Sequence, residues 1–125
     1  MKYLLSIYAD EKGIASATPE QIQQTIDAYN VFTQEVRDKG IFLSGEGLEP
    51  TSAATTVRVR NGETLTTDGP FAETKEQMNG YYLLECNDLD EAIEWAGKIP
   101  GAMQGSVEVR PVLDYDALEA QGTQG

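Results

Sequence analysis

Apolar and polar residues alternate along residues 3–8. Tyr3, Leu5 and Ile7 fall on one side of an extended chain and Leu4, Ser6 and Tyr8 on the other, which predicts a strand with at least one buried face. A glycine-containing loop leads to Thr18-Pro19-Glu20-Gln21, where Thr18 suits an N-cap, Pro19 the first helical position, and Gln21 the far side of a capping box. The helix that follows carries Ile22, Ile26, Tyr29, Phe32 and Val36 on one stripe, which must cover a sheet face, and it stops at Lys39-Gly40. Ile41-Phe42-Leu43 resumes as a strand. The glycines of Ser44-Gly45-Glu46-Gly47 then leave Glu46 on a flexible strand end.

From Ala54 the alternation returns, with Val57 and Val59 against Thr56, Arg58 and Arg60. Asn61-Gly62 and Thr64 to Thr67 follow, the strongest hairpin signal in the chain. The hairpin delivers Asp68-Gly69-Pro70, a tight turn in which glycine accepts a positive φ and proline fixes its own. A polar arm runs to Asn79, and Gly80 to Cys86 reads as a central strand because both of its faces are apolar. Asp88 caps a second helix with Glu91 at its third position, and Leu89, Ala92, Ile93, Ala96 and Ile99 form its buried stripe until Pro100-Gly101. Ser106 to Val112 is the last strand, placed at an edge by Pro111. Residues 1–113 form one domain, and residues 114–125 a short C-terminal tail that frays.

With the Asn61-Gly62 hairpin set aside as an insertion, the order is strand, helix, strand, strand, helix, strand. That is the α+β, split βαβ or ferredoxin-like pattern: a four-stranded antiparallel sheet with two helices on one face. The other face is expected to carry valines, leucines and tyrosines, and a second copy is its simplest cover, so a homodimer with facing sheets is expected.

Composition narrows the chemistry. The chain has 125 residues and 40% hydrophobic content, enough for one domain with a core. Nine basic against 21 acidic residues give a net charge of −12, which disfavours nucleic acid and anionic membrane surfaces as partners. There is no histidine and Cys86 is the single cysteine, so disulfides, the usual zinc clusters and imidazole catalysis are excluded, and no cofactor or metal is expected. No apolar run approaches a membrane span and no leader peptide precedes the first strand, which leaves a cytoplasmic protein as the expectation.

The candidate site is the arm itself, where Phe71, Glu73, Lys75 and Glu76 crowd behind the turn. Asp68 and Glu73 are the candidate acid–base pair, provided desolvation separates their proton affinities; otherwise Asp68 simply caps its turn and Glu73 joins a surface ion pair with Arg58 or Arg110. Those arginines could equally grip a ligand carboxylate, and Tyr8 and Tyr82 could orient a polar ligand or pack the core. Glu46, Phe71 and Lys75 complete the candidate ligand-binding set.

Thr67-Asp-Gly-Pro-Phe-Ala-Glu-Thr-Lys-Glu76, Gly80-Tyr81-Tyr82-Leu83, Asp88-Leu89-Asp90-Glu91-Ala92 with Trp95-Ala96, and Gly105 to Pro111 together closely resemble the DGPFAETKE proteins of the YCII-related superfamily. The resemblance runs from the first strand to Val112. It implies a dimeric α+β barrel of ferredoxin-like protomers and no established reaction. Part of that superfamily is associated with a histidine–aspartate pair, which this chain, having no histidine, does not carry. Relatives of this type are often encoded beside extracytoplasmic-function sigma factors, which implies a regulatory context. Two functions are therefore expected to compete. One is a small-molecule binding protein or carboxylate enzyme with its cleft under the Asp68–Glu76 arm; the other is a non-catalytic interaction module with a sigma factor as partner.

Overall fold

The computed structural model describes residues 1–124. Its elements are β1 (Lys2–Ala9), α1 (Glu11–Ala15), α2 (Pro19–Asp38), β2 (Phe42–Gly47), β3 (Thr55–Arg60), β4 (Glu63–Asp68), β5 (Gln77–Glu85), α3 (Leu89–Lys98), β6 (Ser106–Pro111) and α4 (Tyr115–Gln124). Four strands form one antiparallel sheet in the order β2-β5-β1-β6, the split βαβ arrangement, and β3 pairs only with β4. The hairpin is thus an insertion, as its sequence predicts. Asn61 and Gly62 both have positive φ, 52° and 78°, the backbone that matches a two-residue turn to the twist of its strands.

One face of the sheet is packed. Tyr3, Leu5 and Ile7 of β1 stand beside Tyr82 and Leu84 of β5, under Phe32 and Val36 of α2 and Ala92, Ala96 and Ile99 of α3. Phe32 meets Tyr82 edge-on at 4.9 Å and Trp95 at 6.2 Å, so one ring couples both helices to the sheet. Thr18 and Gln21 close the reciprocal capping box of α2, and the side chain of Asp88 accepts from the Glu91 amide at the start of α3.

Several expectations are corrected. Residues 11–15 form the short helix α1 rather than a loop, because the Asp10 side chain caps it by accepting from the Lys12 amide at 3.0 Å. β5 starts at Gln77, three residues early. β2 continues through Glu46, which pairs with Tyr81. Its glycines permit the pairing rather than ending it: a Cβ on Gly45 would lie 2.9 Å from the Tyr82 ring, and one on Gly80 would lie 2.9 Å from the Glu46 carbonyl. Ile22 and Ile26 are each 47% exposed although they share the stripe of Phe32. The buried residues of α2 are Phe32 and Val36, both in its C-terminal half, so its first turns do not join the core. Leu89 and Ile93 of α3 are likewise exposed. The expected tail is helical over Tyr115–Gln124, with its apolar Tyr115 and Leu118 exposed; Gly125 lies outside the described residues.

The uncovered face differs from its expected composition. Val107 and Val109 pair with Ile7 and Leu5 on the helix side, and Val57 and Val59 lie on the separate hairpin. The face carries Leu4, Tyr8, Tyr81 and Leu83, all half-buried, with Ser6 at its centre and Glu46, Glu108 and Arg110 toward its edges.

Candidate functional site

The Asp-Gly-Pro bend is tied to the base of the hairpin. The Gly69 amide, at φ 104°, donates to the Ala54 carbonyl at 2.7 Å, and the Thr56 hydroxyl donates to the Gly69 carbonyl at 2.8 Å. Beyond Phe71, which is 80% exposed, the arm folds on itself. The Thr74 hydroxyl donates to the Glu76 carbonyl, and the Gln77 side-chain amide donates to the Thr74 carbonyl. The Gln77 side-chain oxygen accepts from the Glu11 amide at 3.2 Å, while the Glu11 carboxylate accepts from the amide and hydroxyl of Thr51 at 2.8 and 2.9 Å. α1 therefore fixes the end of the arm against the body of the protein.

That anchoring brings Glu76 down onto β6, where its carboxylate accepts from the Ser106 hydroxyl at 2.8 Å. A shallow, wide-mouthed cavity of about 350 Å³ lies there, lined by Tyr8, Glu76, Ser106, Val107 and Glu108. It adjoins a row across the uncovered face in which Glu46 pairs with Tyr81, Tyr81 with Ser6 and Ser6 with Glu108. Three strand spacings separate the two carboxylates, roughly 14 Å.

The candidate residues divide accordingly. Tyr8 lines the cavity. Glu46 and Arg110 are exposed on the same sheet face, Arg110 opposite Leu4. Tyr82 points the other way, into the core, where its hydroxyl and that of Thr33 share a 2.7 Å hydrogen bond; burial raises its phenol above the ordinary tyrosine range. Arg58 is exposed on the hairpin opposite Leu65. Asp68, Phe71, Glu73 and Lys75 are exposed along the bend and arm, and none of them lines the cavity. Glu76 is read in the sequence as part of the arm but not as a ligand-binding residue, and Ser106 and Glu108 escape the sequence reading. The alternation of Ser106, Glu108 and Arg110 on one face of the last strand was the available signal, and the missing information was the pairing of Tyr8 with Ser106.

A family model for the YCII-related domain matches residues 1–116. The chain belongs to the YCII-related family. It is 38% identical over 117 residues to an uncharacterised protein of Rhizobium meliloti (strain 1021), a match covering 92% of this chain and 94% of that relative. No helix among the described residues of this YCII-related protein is long and apolar enough to cross a membrane.

The single cysteine of the YCII-related chain lies away from the cavity. Cys86 is buried beside the core, and burial, reinforced by the Glu91 carboxylate, raises its thiol above the ordinary range. The neutral thiol is thus favoured in the fold. Its contribution to stability is complete below the unfolded thiol pKa and is lost as pH rises through the folded one. In mildly alkaline buffer, iodoacetamide should modify native protein far more slowly than urea-unfolded protein. Equal rates would show that the thiol is accessible.

Proposed function

We propose that this YCII-related protein binds a small polar molecule on the uncovered sheet face, in a cleft closed by the Glu76 end of the Asp68–Glu76 arm and by the facing sheet of a second copy. The shallow, open depression bounded by Tyr8, Glu76, Ser106 and Glu108 carries this reading, since several polar groups converge on it and a facing copy would enclose it as small-molecule sites are enclosed. The half-buried Leu4, Tyr8, Tyr81 and Leu83 support the second copy, because together they form an apolar strip across the face that association would remove from water. The arm contributes chemistry in this reading through Asp68 and Glu73. Both are exposed in one protomer and acquire the desolvation that acid–base work requires only when the facing copy closes over them.

Amide NMR of the intact chain with a library of small polar fragments, together with translational diffusion, tests both parts. Hits should move the signals of Tyr8, Ser106 and Glu108, diffusion should report a dimer, and Asp68→Asn or Glu73→Gln should weaken or abolish turnover of any compound transformed. A monomer at every concentration, or hits that never touch β1 and β6, would overturn the reading.

A further inference from the structure

We propose that the β3–β4 hairpin is an arm that grips a second copy of this chain, with its arginines seated on the acidic surface of the partner protomer. This rests on the reading that two copies close on each other, and it names the element that holds them. The hairpin stands apart from its own protomer. β3 and β4 pair only with each other, and every residue of the two strands except Thr56 is exposed. Among the described residues, no hydrogen bond joins positions 57–67 to anything outside the hairpin. Val57, Val59 and Leu65 are 58%, 59% and 46% exposed. A two-stranded ribbon is marginally stable in water at best, and one whose apolar side chains stay wet gains little from packing.

Charge selects the occupant. Arg58 and Arg60 balance Glu63 and Asp68, so residues 55–68 are neutral and the rest of the chain carries the whole of the −12. Neither arginine forms an ion pair among the described residues, and Arg60 donates to the carbonyl of its neighbour Val59. Both lie on one face of the ribbon, with Leu65 and Glu63 as their cross-strand partners, while Val57 and Val59 share the other face with Thr66 and Thr64. Two strongly acidic bodies repel each other, but a neutral ribbon meets such a body without that penalty, and its guanidinium forks match surface carboxylates. A nucleic acid fits less well, because the body beside the arginines repels its phosphates.

Size points the same way. The uncovered face is four strands wide and, at its edge strands, six residues long, a patch of roughly 400 Å² at ordinary strand spacings. A stable complex buries about 800 Å² on each partner. The sheet face alone falls short of that. The ribbon is six residues long and two strands wide, which adds about 200 Å² on one of its faces. In a two-fold dimer each copy lends its own arm and is covered by the other's, so the ribbon counts twice on every protomer and closes the gap.

Sedimentation and NMR of the full chain test the arm. Arg58→Glu combined with Arg60→Glu should raise the dimer dissociation constant about tenfold or more, while the amide signals of the sheet and helices in the dissociated protomer stay in place. A nitroxide attached through Thr64→Cys, with the native Cys86 buried, should broaden a contiguous patch of amide signals in an isotope-labelled copy that carries no nitroxide. If the charge-reversed protein fails to fold, the nitroxide decides alone. An unchanged dissociation constant in the folded variant, or a nitroxide that leaves the other copy's signals untouched, would overturn the arm and leave the facing sheets standing. A chain that is monomeric at every concentration would overturn both readings together.

Discussion

Gly105→Ala is expected to destabilise the protein by about 2–3 kcal/mol, at the upper end of what overpacking costs, and to lower its melting temperature by several degrees. A Cβ at this position would lie 2.1 Å from the Tyr8 carbonyl oxygen and 3.1 Å from the Tyr8 carbonyl carbon. These are backbone atoms, so no side chain can swing aside and the start of β6 must move away from β1. The damage falls where Tyr8 pairs with Ser106, so the amide signals around the cavity should broaden or shift with the loss of stability. Gly97→Ala is the control. Nothing lies near its added methyl, and a helical glycine replaced by alanine gains up to about 1 kcal/mol. A Gly105→Ala protein as stable as the wild type would show that β1 and β6 meet differently there.

Leu84→Ala should cost about 2–5 kcal/mol in chemical denaturation, the range for a buried leucine whose cavity only partly collapses. Leu84 is fully buried between Tyr3 of β1 and Phe42 of β2, beneath the helices. Its neighbour Leu83 is half-buried on the opposite face, and Leu83→Ala should cost the protomer about 1 kcal/mol or less. The contrast measures how one-sided the core is. Equal losses would mean that the uncovered face contributes to protomer stability as much as the packed one.

The parts of the fold that were legible in sequence are those decided locally. Thr18 with Gln21, Asp88 with Glu91, and Asn61 with Gly62 each act on backbone groups within a few residues, and the structure places each as expected. The period-2 pattern of residues 3–8 likewise separates a packed face from an uncovered one. What failed depends on partners distant in sequence. Gly45 looks like a breaker until the Tyr82 ring is seen occupying the space of its missing side chain. Ile22 and Ile26 look buried, yet only Phe32 and Val36, farther along the same stripe, reach the core. The cavity was hardest to foresee, because its residues come from three separated segments. Crowding of charge drew the reading to Asp68 and Glu73, whereas anchoring by Glu11 and Gln77 sets the less conspicuous Glu76 against β6.

Strand β1 pairs only with β5 and β6, so each of its ladder partners is residue 77 or later. During translation at about 5–20 residues per second, it leaves the ribosome several seconds before either neighbour exists. Tyr3-Leu4-Leu5-Ser6-Ile7-Tyr8 is short, uncharged, apolar and free of proline, the composition that favours self-association of exposed strands. The topology that creates the central strand therefore also leaves its apolar residues without ladder partners on the nascent chain until the C-terminal half emerges.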